Sequence, residues 1–196
     1  IVEEDMVVSV THGGYIKRNP LTIYRSQKRG GKGKIGIGVR DEDFVEQLFV
    51  ASTHSYLMVF TNLGRVYWIK VHEIPEAGRA ARGKPMVNLV KISQTKGERI
   101  EAILPVREFE KDKHIVMVTK KGIIKKSNLM DFSNPRPSGI IALKIKKDDA
   151  LISARIASKD EDIFLAARNG KAIRFKESTV RPMGRSASGV IAFRMK

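Results

Sequence analysis

The sequence predicts an all-β protein built as a propeller-like array of repeated four-stranded units. Three observations predict it: a pair of short strands around a turn glycine occurs four times, a second glycine follows each pair at a nearly constant distance, and no segment shows a convincing helical pattern. The hairpin glycines, at intervals of 50, 58 and 48 residues, are Gly14, Gly64, Gly122 and Gly170. The marker glycines, which follow 19, 19, 17 and 19 residues later, are Gly33, Gly83, Gly139 and Gly189.

Each hairpin glycine lies between two short segments with strand-like composition. Asn169-Gly170 and Lys121-Gly122 are typical of tight turns, because glycine and asparagine reach the positive φ that a hairpin needs. The four predicted hairpins pair Val7–Thr11 with Gly14–Lys17, Leu57–Thr61 with Gly64–Tyr67, Ile115–Thr119 with Gly122–Lys125, and Ile163–Ala166 with Gly170–Arg174.

Further apolar segments bring the count to about four strands per unit. Ile100–Leu104 and Leu151–Ile156 are examples, and most prolines fall at strand ends and in loops, where their missing N–H does no harm. We predict one domain of four units with approximate bounds 1–48, 49–105, 106–156 and 157–196. The last unit ends before the further apolar strand that follows the marker glycine in other units, such as Leu151–Ile156, and the chain opens without methionine, so we expect a piece of a longer array.

The composition favours a polyanionic partner. The chain has 37 Lys and Arg against 21 Asp and Glu, a net charge of +16, which favours nucleic acid. A membrane is a weaker alternative, since no apolar run approaches the roughly 18 residues of a spanning helix. The absence of cysteine excludes disulfides and thiolate metal sites, and it fits a cytoplasmic protein. We expect no cofactor.

Charge is segregated along the chain. No acid occurs from Met6 to Arg40 or from Ala77 to Gly97, whereas acids cluster at 41–43, 108–112, 148–149 and 160–162. Repeats superpose by rotation, so cations at one phase of the repeat should form a continuous band along which a duplex could bend. The predicted DNA-binding residues outside the glycine-rich stretch are Lys17, Arg18, Lys34, Arg65, Arg79, Arg82, Lys84, Lys125, Lys126, Arg174, Lys176 and Arg181.

The segment from Gln27 to Gly33 combines three cations with three glycines. The residues are Gln27, Lys28, Arg29, Gly30, Gly31, Lys32 and Gly33. Glycine weakens regular structure and lysine and arginine resist burial, so the segment should be an exposed loop. Backbone N–H groups and long cationic side chains that lie close together can bind a phosphate group.

This segment closely resembles the gyrase box, Q-R-R-G-G-K-G, of the C-terminal domain of bacterial DNA gyrase A. Six of seven positions match, and Lys28 replaces the usual arginine, which keeps the charge but loses the planar fork that binds phosphate bidentately. Flanking segments that also resemble the family are His12–Lys17, Glu42–Phe44 and Arg82–Leu89.

The resemblance implies a six-bladed β-pinwheel, in which neighbouring blades exchange strands, with about four blades present here. It implies a non-catalytic, monomeric domain that wraps double-stranded DNA around its basic outer edge, largely through phosphates and without sequence specificity. The implied partners are the N-terminal cleavage domain of gyrase A and the ATP-binding gyrase B, in the bacterial cytoplasm and at the nucleoid. The DNA-cleaving tyrosine belongs to a domain outside this chain.

Two other functions are compatible with the sequence. The related domain of topoisomerase IV lacks an intact box, and a protein-interaction propeller could bind an acidic partner. Catalysis has little support: Gly31–Gly36 matches G-x-G-x-x-G without the required strand and helix. The four histidines are far apart, so neither a metal site nor a propeller hydrolase is indicated.

Overall fold

The computed structural model describes residues 1–24 and 43–194, and within these ranges the protein consists of strands, 3-10 helices and loops. The strands are β1 Asp5–Thr11, β2 Tyr15–Pro20, β3 Val45–Ser52, β4 Tyr56–Thr61, β5 Arg65–Lys70, β6 Lys84–Pro85, β7 Ile100–Val106, β8 Lys113–Thr119, β9 Ile123–Asn128, β10 Ile140–Ile141, β11 Leu151–Ser158, β12 Asp162–Ala166, β13 Ala172–Lys176 and β14 Val190–Ile191. The 3-10 helices are Leu21–Ile23, Val71–Glu73, Met86–Asn88, Gln94–Lys96, Leu129–Phe132 and Glu177–Thr179.

The four predicted hairpins are present as β1–β2, β4–β5, β8–β9 and β12–β13. The hairpin glycines have φ of 84°, 76°, 83° and 83° in chain order. This is the left-handed region that only glycine enters without strain, so the turn chemistry that the sequence indicated is the turn chemistry used.

Consecutive repeats exchange strands. The four-stranded sheets have the orders β3-β1-β2-β6, β10-β5-β4-β7 and β11-β8-β9-β14. In each, one two-residue edge strand (β6, β10 or β14) comes from the following repeat and pairs antiparallel with the second hairpin strand. The all-β architecture of strand-exchanged four-stranded sheets is therefore confirmed. Within the described residues, β12 and β13 form a sheet of two strands.

The chain divides into two compact units. The first comprises the described part of 1–58 with 68–92 and 105–107. Its core includes Met6, Val8, Ile16, Leu57 and Met86, all nearly inaccessible to solvent. Strand β1 is buried along six of its seven residues, which explains why its sequence is a continuous apolar run instead of an alternating one.

The second unit comprises 59–67, 93–104 and the chain from Glu108 onward. Phe60 and Phe132 meet edge to face with centroids 6.4 Å apart in its core. A further cluster forms around Val116 and Ile124, and Ile163 packs against it from the β12–β13 hairpin. The neighbouring Phe164 is 65% exposed, so this hairpin buries one face only.

Candidate nucleic-acid interface

The predicted phosphate-binding stretch lies outside the described residues. This holds for the gyrase-box positions Gln27 to Gly33 and for Lys34. Their assignment remains a prediction from the sequence.

Three predicted DNA-binding lysines are buried, so their assignment to an exposed basic surface is wrong. Lys17 and Lys125 are 0% exposed and Lys126 is 3% exposed. They occupy the third and fourth positions after a hairpin glycine, on β2 and β9, where the side chains point into the protein and bond to groups of the following repeat. A phosphate at the surface cannot reach these ammonium groups.

Lys17 and Lys125 each donate to two backbone carbonyl groups, one of which belongs to an arginine of the following repeat. Lys17 Nζ donates to Gly78 O at 3.1 Å and to Arg79 O. Lys125 Nζ donates to Ala142 O at 2.7 Å and to Arg185 O. Burial lowers the pKa of both lysines, that of Lys125 to about 8, and the positive charge of the nearby arginine lowers each further.

The low pKa of Lys125 predicts a pH-dependent stability. Between about 8 and the ordinary value of 10.5 the unfolded chain binds more protons than the folded chain, so the free energy of unfolding rises with pH. This contribution is complete above pH 10.5 and lost as the pH falls through 8. In urea unfolding, the free energy of unfolding of the wild type minus that of Lys125→Met should rise by about 1–3 kcal/mol between pH 8 and pH 10.5. A constant difference would contradict it.

Lys126 forms a buried ion pair with Glu177, which is 2% exposed. Lys126 Nζ lies 2.7 Å from Glu177 Oε1 and 3.1 Å from Glu177 O. His114 Nδ1 lies 3.0 Å from the same Oε1. The pair joins β9 to the 3-10 helix that follows β13, so Lys126 connects the third repeat to the fourth.

In the first unit, three predicted cations lie on the segment that leads into β6. Lys84 is exposed, and Arg79 and Arg82 are half-buried. The Arg82 guanidinium lies 4.8 Å from the centroid of the Tyr15 ring, which is within cation–π distance. This segment presents positive charge at the surface in a defined orientation.

Arg18 and Arg65 have several donors engaged within the protein. Arg18 Nε donates to Ile74 O at 2.7 Å, and Nη1 lies 3.3 Å from Glu76 Oε2. Arg65 Nη2 donates to Ser138 O at 2.8 Å. Both side chains are half-buried, and fewer of their donors remain for a ligand.

In the second unit, Arg174, Lys176 and Arg181 are exposed, as predicted for surface cations. Arg174 Nε donates to Asp162 Oδ2 at 2.7 Å, and Lys176 Nζ lies 3.0 Å from Oδ1. Hydrogen bonds from these two cations lower the pKa of the Asp162 carboxyl. One acid therefore offsets part of the positive charge on β13.

Sequence reasoning missed Arg185, which lies half-buried on the loop before β14. It precedes Gly189 by four residues, and Arg79 precedes Gly83 by the same number. Both belong to a Gly-Arg-x-Ala segment, at 78–81 and 184–187. Both arginines also lie 15 residues after their hairpin glycine, so aligning the repeats on either glycine pairs Arg185 with Arg79.

Some clustered acids have a structural role that charge counting does not show. Asp43 Oδ1 accepts from the Gly13 N–H at 2.7 Å, and Asp149 Oδ1 accepts from the Lys121 N–H at 2.9 Å. Both amides precede a hairpin glycine. Acids near the ends of the predicted units therefore stabilise hairpin turns of the first and third repeats.

Two negative findings concern the described residues 1–24 and 43–194. Their helices are all too short and insufficiently apolar to cross a membrane. No group of three or more histidine and carboxylate side chains in these ranges is placed to hold a metal ion.

Strand exchange between four-stranded sheets, together with cations on the loops that precede the exchanged strands, defines a repetitive all-β domain. The sequence model of the DNA gyrase C-terminal domain, a β-propeller family, matches residues 5–52, 55–107, 113–158 and 161–196. The chain belongs to this family.

Similar proteins include the A subunit of DNA gyrase from Haemophilus influenzae, 48% identical over 190 residues, which cover 97% of this chain and 21% of that protein. Its counterpart from Escherichia coli K12 is 45% identical over 195 residues, which cover 100% of this chain and 22% of that protein. The chain thus spans about a fifth of the length of these curated relatives.

Two solved structures are similar over nearly the whole chain. The C-terminal domain of DNA topoisomerase IV aligns with a TM-score of 0.83 at 29% identity, covering all of this chain and 59% of that one. The DNA gyrase A C-terminal domain aligns with a TM-score of 0.75 at 28% identity, and the alignment covers 98% of this chain and 61% of that one.

Proposed function

We propose that this chain is the DNA-wrapping module of a DNA gyrase A polypeptide. It binds duplex DNA through phosphates and bends it along the basic surface, so that the holoenzyme introduces negative supercoils. The cleavage domain of gyrase A and the ATP-binding gyrase B supply the chemistry, in the bacterial cytoplasm and at the nucleoid. The module itself contributes no catalytic group and needs no cofactor.

The observation that carries the proposal is the accessible positive charge on the loops next to the exchanged strands. Arg79, Arg82 and Lys84 lie before and in β6, and Arg181 and Arg185 lie before β14. Such loops suit a polyanion with regularly spaced charges, because a duplex carries one phosphate charge per about 1.7 Å of axis.

Recognition should be independent of base sequence. Base edges are read by an α-helix or a two-stranded ribbon inserted in a groove. The described residues contain no α-helix, and the cations that precede β6 and β14 lie on loops. Guanidinium and ammonium groups on loops contact phosphates, which orient the duplex without identifying its bases. Sequence-dependent bending energy can still favour flexible DNA.

Duplexes of increasing length test the proposal. Affinity should rise with length until the DNA spans the binding surface, and log affinity should fall linearly with log salt. If Arg79, Arg82, Lys84, Arg174, Lys176, Arg181 and Arg185 each contact one phosphate, the slope is on the order of −6, with any contribution from the gyrase box added to it.

An interaction propeller for an acidic protein is the second candidate, and the net charge of +16 is equally compatible with it. The same titration separates the two, because an acidic-protein binder gains nothing as the duplex lengthens. Polyglutamate that competes as strongly as DNA of equal charge would favour the acidic partner and overturn the wrapping proposal.

The topoisomerase IV equivalent is the third candidate, supported by the fold similarity to that enzyme's C-terminal domain. The intact glycine-rich basic stretch and the gyrase A relatives favour gyrase. Joined to a cleavage domain and gyrase B, the module should give an enzyme that introduces negative supercoils into relaxed plasmid with ATP. An enzyme that only relaxes DNA would support topoisomerase IV.

A further inference from the structure

Two turns in different repeats have the same sequence pattern and the same hydrogen bond. In Gly78–Ala81, the Ala81 N–H donates to Gly78 O at 2.9 Å. In Gly184–Ala187, the Ala187 N–H donates to Gly184 O at 3.1 Å. Each is a Gly-Arg-x-Ala turn with its arginine four residues before a marker glycine.

Each turn is held at two points by one buried lysine of the preceding repeat. At the first point the ammonium binds the arginine carbonyl: Lys17 binds Arg79 O, and Lys125 binds Arg185 O. At the second, the marker glycine packs on the lysine stem. A Cβ added to Gly83 would lie 2.9 Å from Lys17 Cβ, and one added to Gly189 would lie 3.1 Å from Lys125 Cβ.

The marker glycines cannot be replaced without moving this contact. Gly83 has φ of +91° and Gly189 has φ of +80°, which side-chain-bearing residues avoid. A Cβ at either position would also overlap a carbonyl oxygen of the lysine-bearing strand. The five residues from each arginine to its marker glycine are therefore fixed at both ends.

The second repeat is an internal comparison. Tyr67 occupies the position of Lys17 and Lys125, and its ring packs against Gly139 with Cε1 2.7 Å from a built Cβ. The loop before Gly139, residues 134–138, reads Asn-Pro-Arg-Pro-Ser and contains no Gly-Arg-x-Ala turn. An aromatic ring is therefore enough to support the glycine, and the lysine occurs where an arginine turn must be held.

A buried lysine is a costly way to support a loop. Desolvation opposes the ammonium charge, and the nearby arginine repels it, as the lowered pKa values of Lys17 and Lys125 show. Placing two cations together favours the approach of an anion from solvent. A hydroxyl or amide could have bound the same carbonyl without this repulsion.

We propose that Lys17 and Lys125 are positioning residues for two phosphate-binding turns, Gly78–Ala81 and Gly184–Ala187, whose Arg79 and Arg185 contact the duplex backbone. The inference rests on the proposed DNA binding and specifies which loops perform it and what orients them. Each lysine acts through the carbonyl of its arginine and does not touch DNA.

A double-mutant cycle tests the inference in the complete 196-residue chain, with salt titrations on one long duplex. Arg79→Ala should make the slope of log affinity against log salt concentration shallower by about one. Lys17→Met should reduce it by the same amount, yet have no further effect in the Arg79→Ala background. Lys125→Met and Arg185→Ala should behave in the same way.

The control is Lys126→Met with Glu177→Leu, which removes a lysine buried to a similar degree that does not hold an arginine turn. It should leave the salt dependence unchanged. Additive losses in the two cycles, or a control variant that loses as much, would overturn the positioning role while leaving DNA binding intact. A wild-type chain that does not bind DNA would instead overturn the proposed function.

Amide hydrogen exchange provides a test that needs no lysine variant and therefore holds even if those variants fail to fold. In the free wild-type chain the Ala81 and Ala187 amides should exchange more slowly than the amides of Gly78 and Gly184. Exchange of Ala81 and Ala187 at unfolded-chain rates would show that the turns are not preorganised and would overturn the inference.

Discussion

Lys126→Met is expected to lower the free energy of unfolding by about 3–5 kcal/mol, because it leaves the Glu177 carboxylate buried without its main partner. The partners are 2.7 Å apart and nearly inaccessible to solvent. His114 Nδ1 lies 3.0 Å from the same oxygen. Urea unfolding of the wild type and of Lys126→Met would measure the loss of stability.

The matched control is the double variant with Glu177→Leu. Glu177 opens the 3-10 helix after the fourth hairpin, and the first three repeats have Leu21, Val71 and Leu129 at this position. Replacing a buried ion pair by apolar side chains is often neutral or stabilising, so the double variant should unfold within about 1 kcal/mol of wild type. A double variant as unstable as Lys126→Met would show that lost packing, and not the unpaired carboxylate, causes the effect.

The repeat and its strands could be predicted because their signals are local. A turn glycine, its flanking apolar residues and a marker glycine at a fixed distance are each readable within about fifty residues. The hairpins therefore lie where the sequence placed them, and Gly122 and Gly170 have the predicted positive φ. Strand exchange is not local, since β2 pairs with β6 more than sixty residues later, and only the family resemblance predicted it.

The candidate interface was predicted less well, because a formal charge does not reveal burial. Lys17 and Lys125 follow hairpin glycines at the phase expected of surface cations, yet their strands are covered on both faces. Their carbonyl partners at Arg79 and Arg185 are about sixty residues away in sequence. No local pattern could indicate them, whereas the exposed Arg174, Lys176 and Arg181 needed only an uncovered strand or loop.

Alanine at Lys28, Arg29 and Lys32 together is expected to abolish negative supercoiling by the parent enzyme while leaving ATP-dependent relaxation. The reason is positional as well as electrostatic. Arg29 precedes Gly33 by four residues, the same register that places Arg79 before Gly83 and Arg185 before Gly189. Plasmid assays with the reconstituted holoenzyme would measure both activities.

Triple alanine substitution at Lys144, Lys146 and Lys147 removes the same charge from exposed positions outside this register. If bulk charge governs wrapping, the two triple variants should lose supercoiling to the same extent, and the box assignment fails. If the position in the repeat governs it, only the first variant should lose supercoiling. The second should retain it and leave the salt dependence of DNA binding unchanged, because only cations that contact phosphate contribute to counterion release.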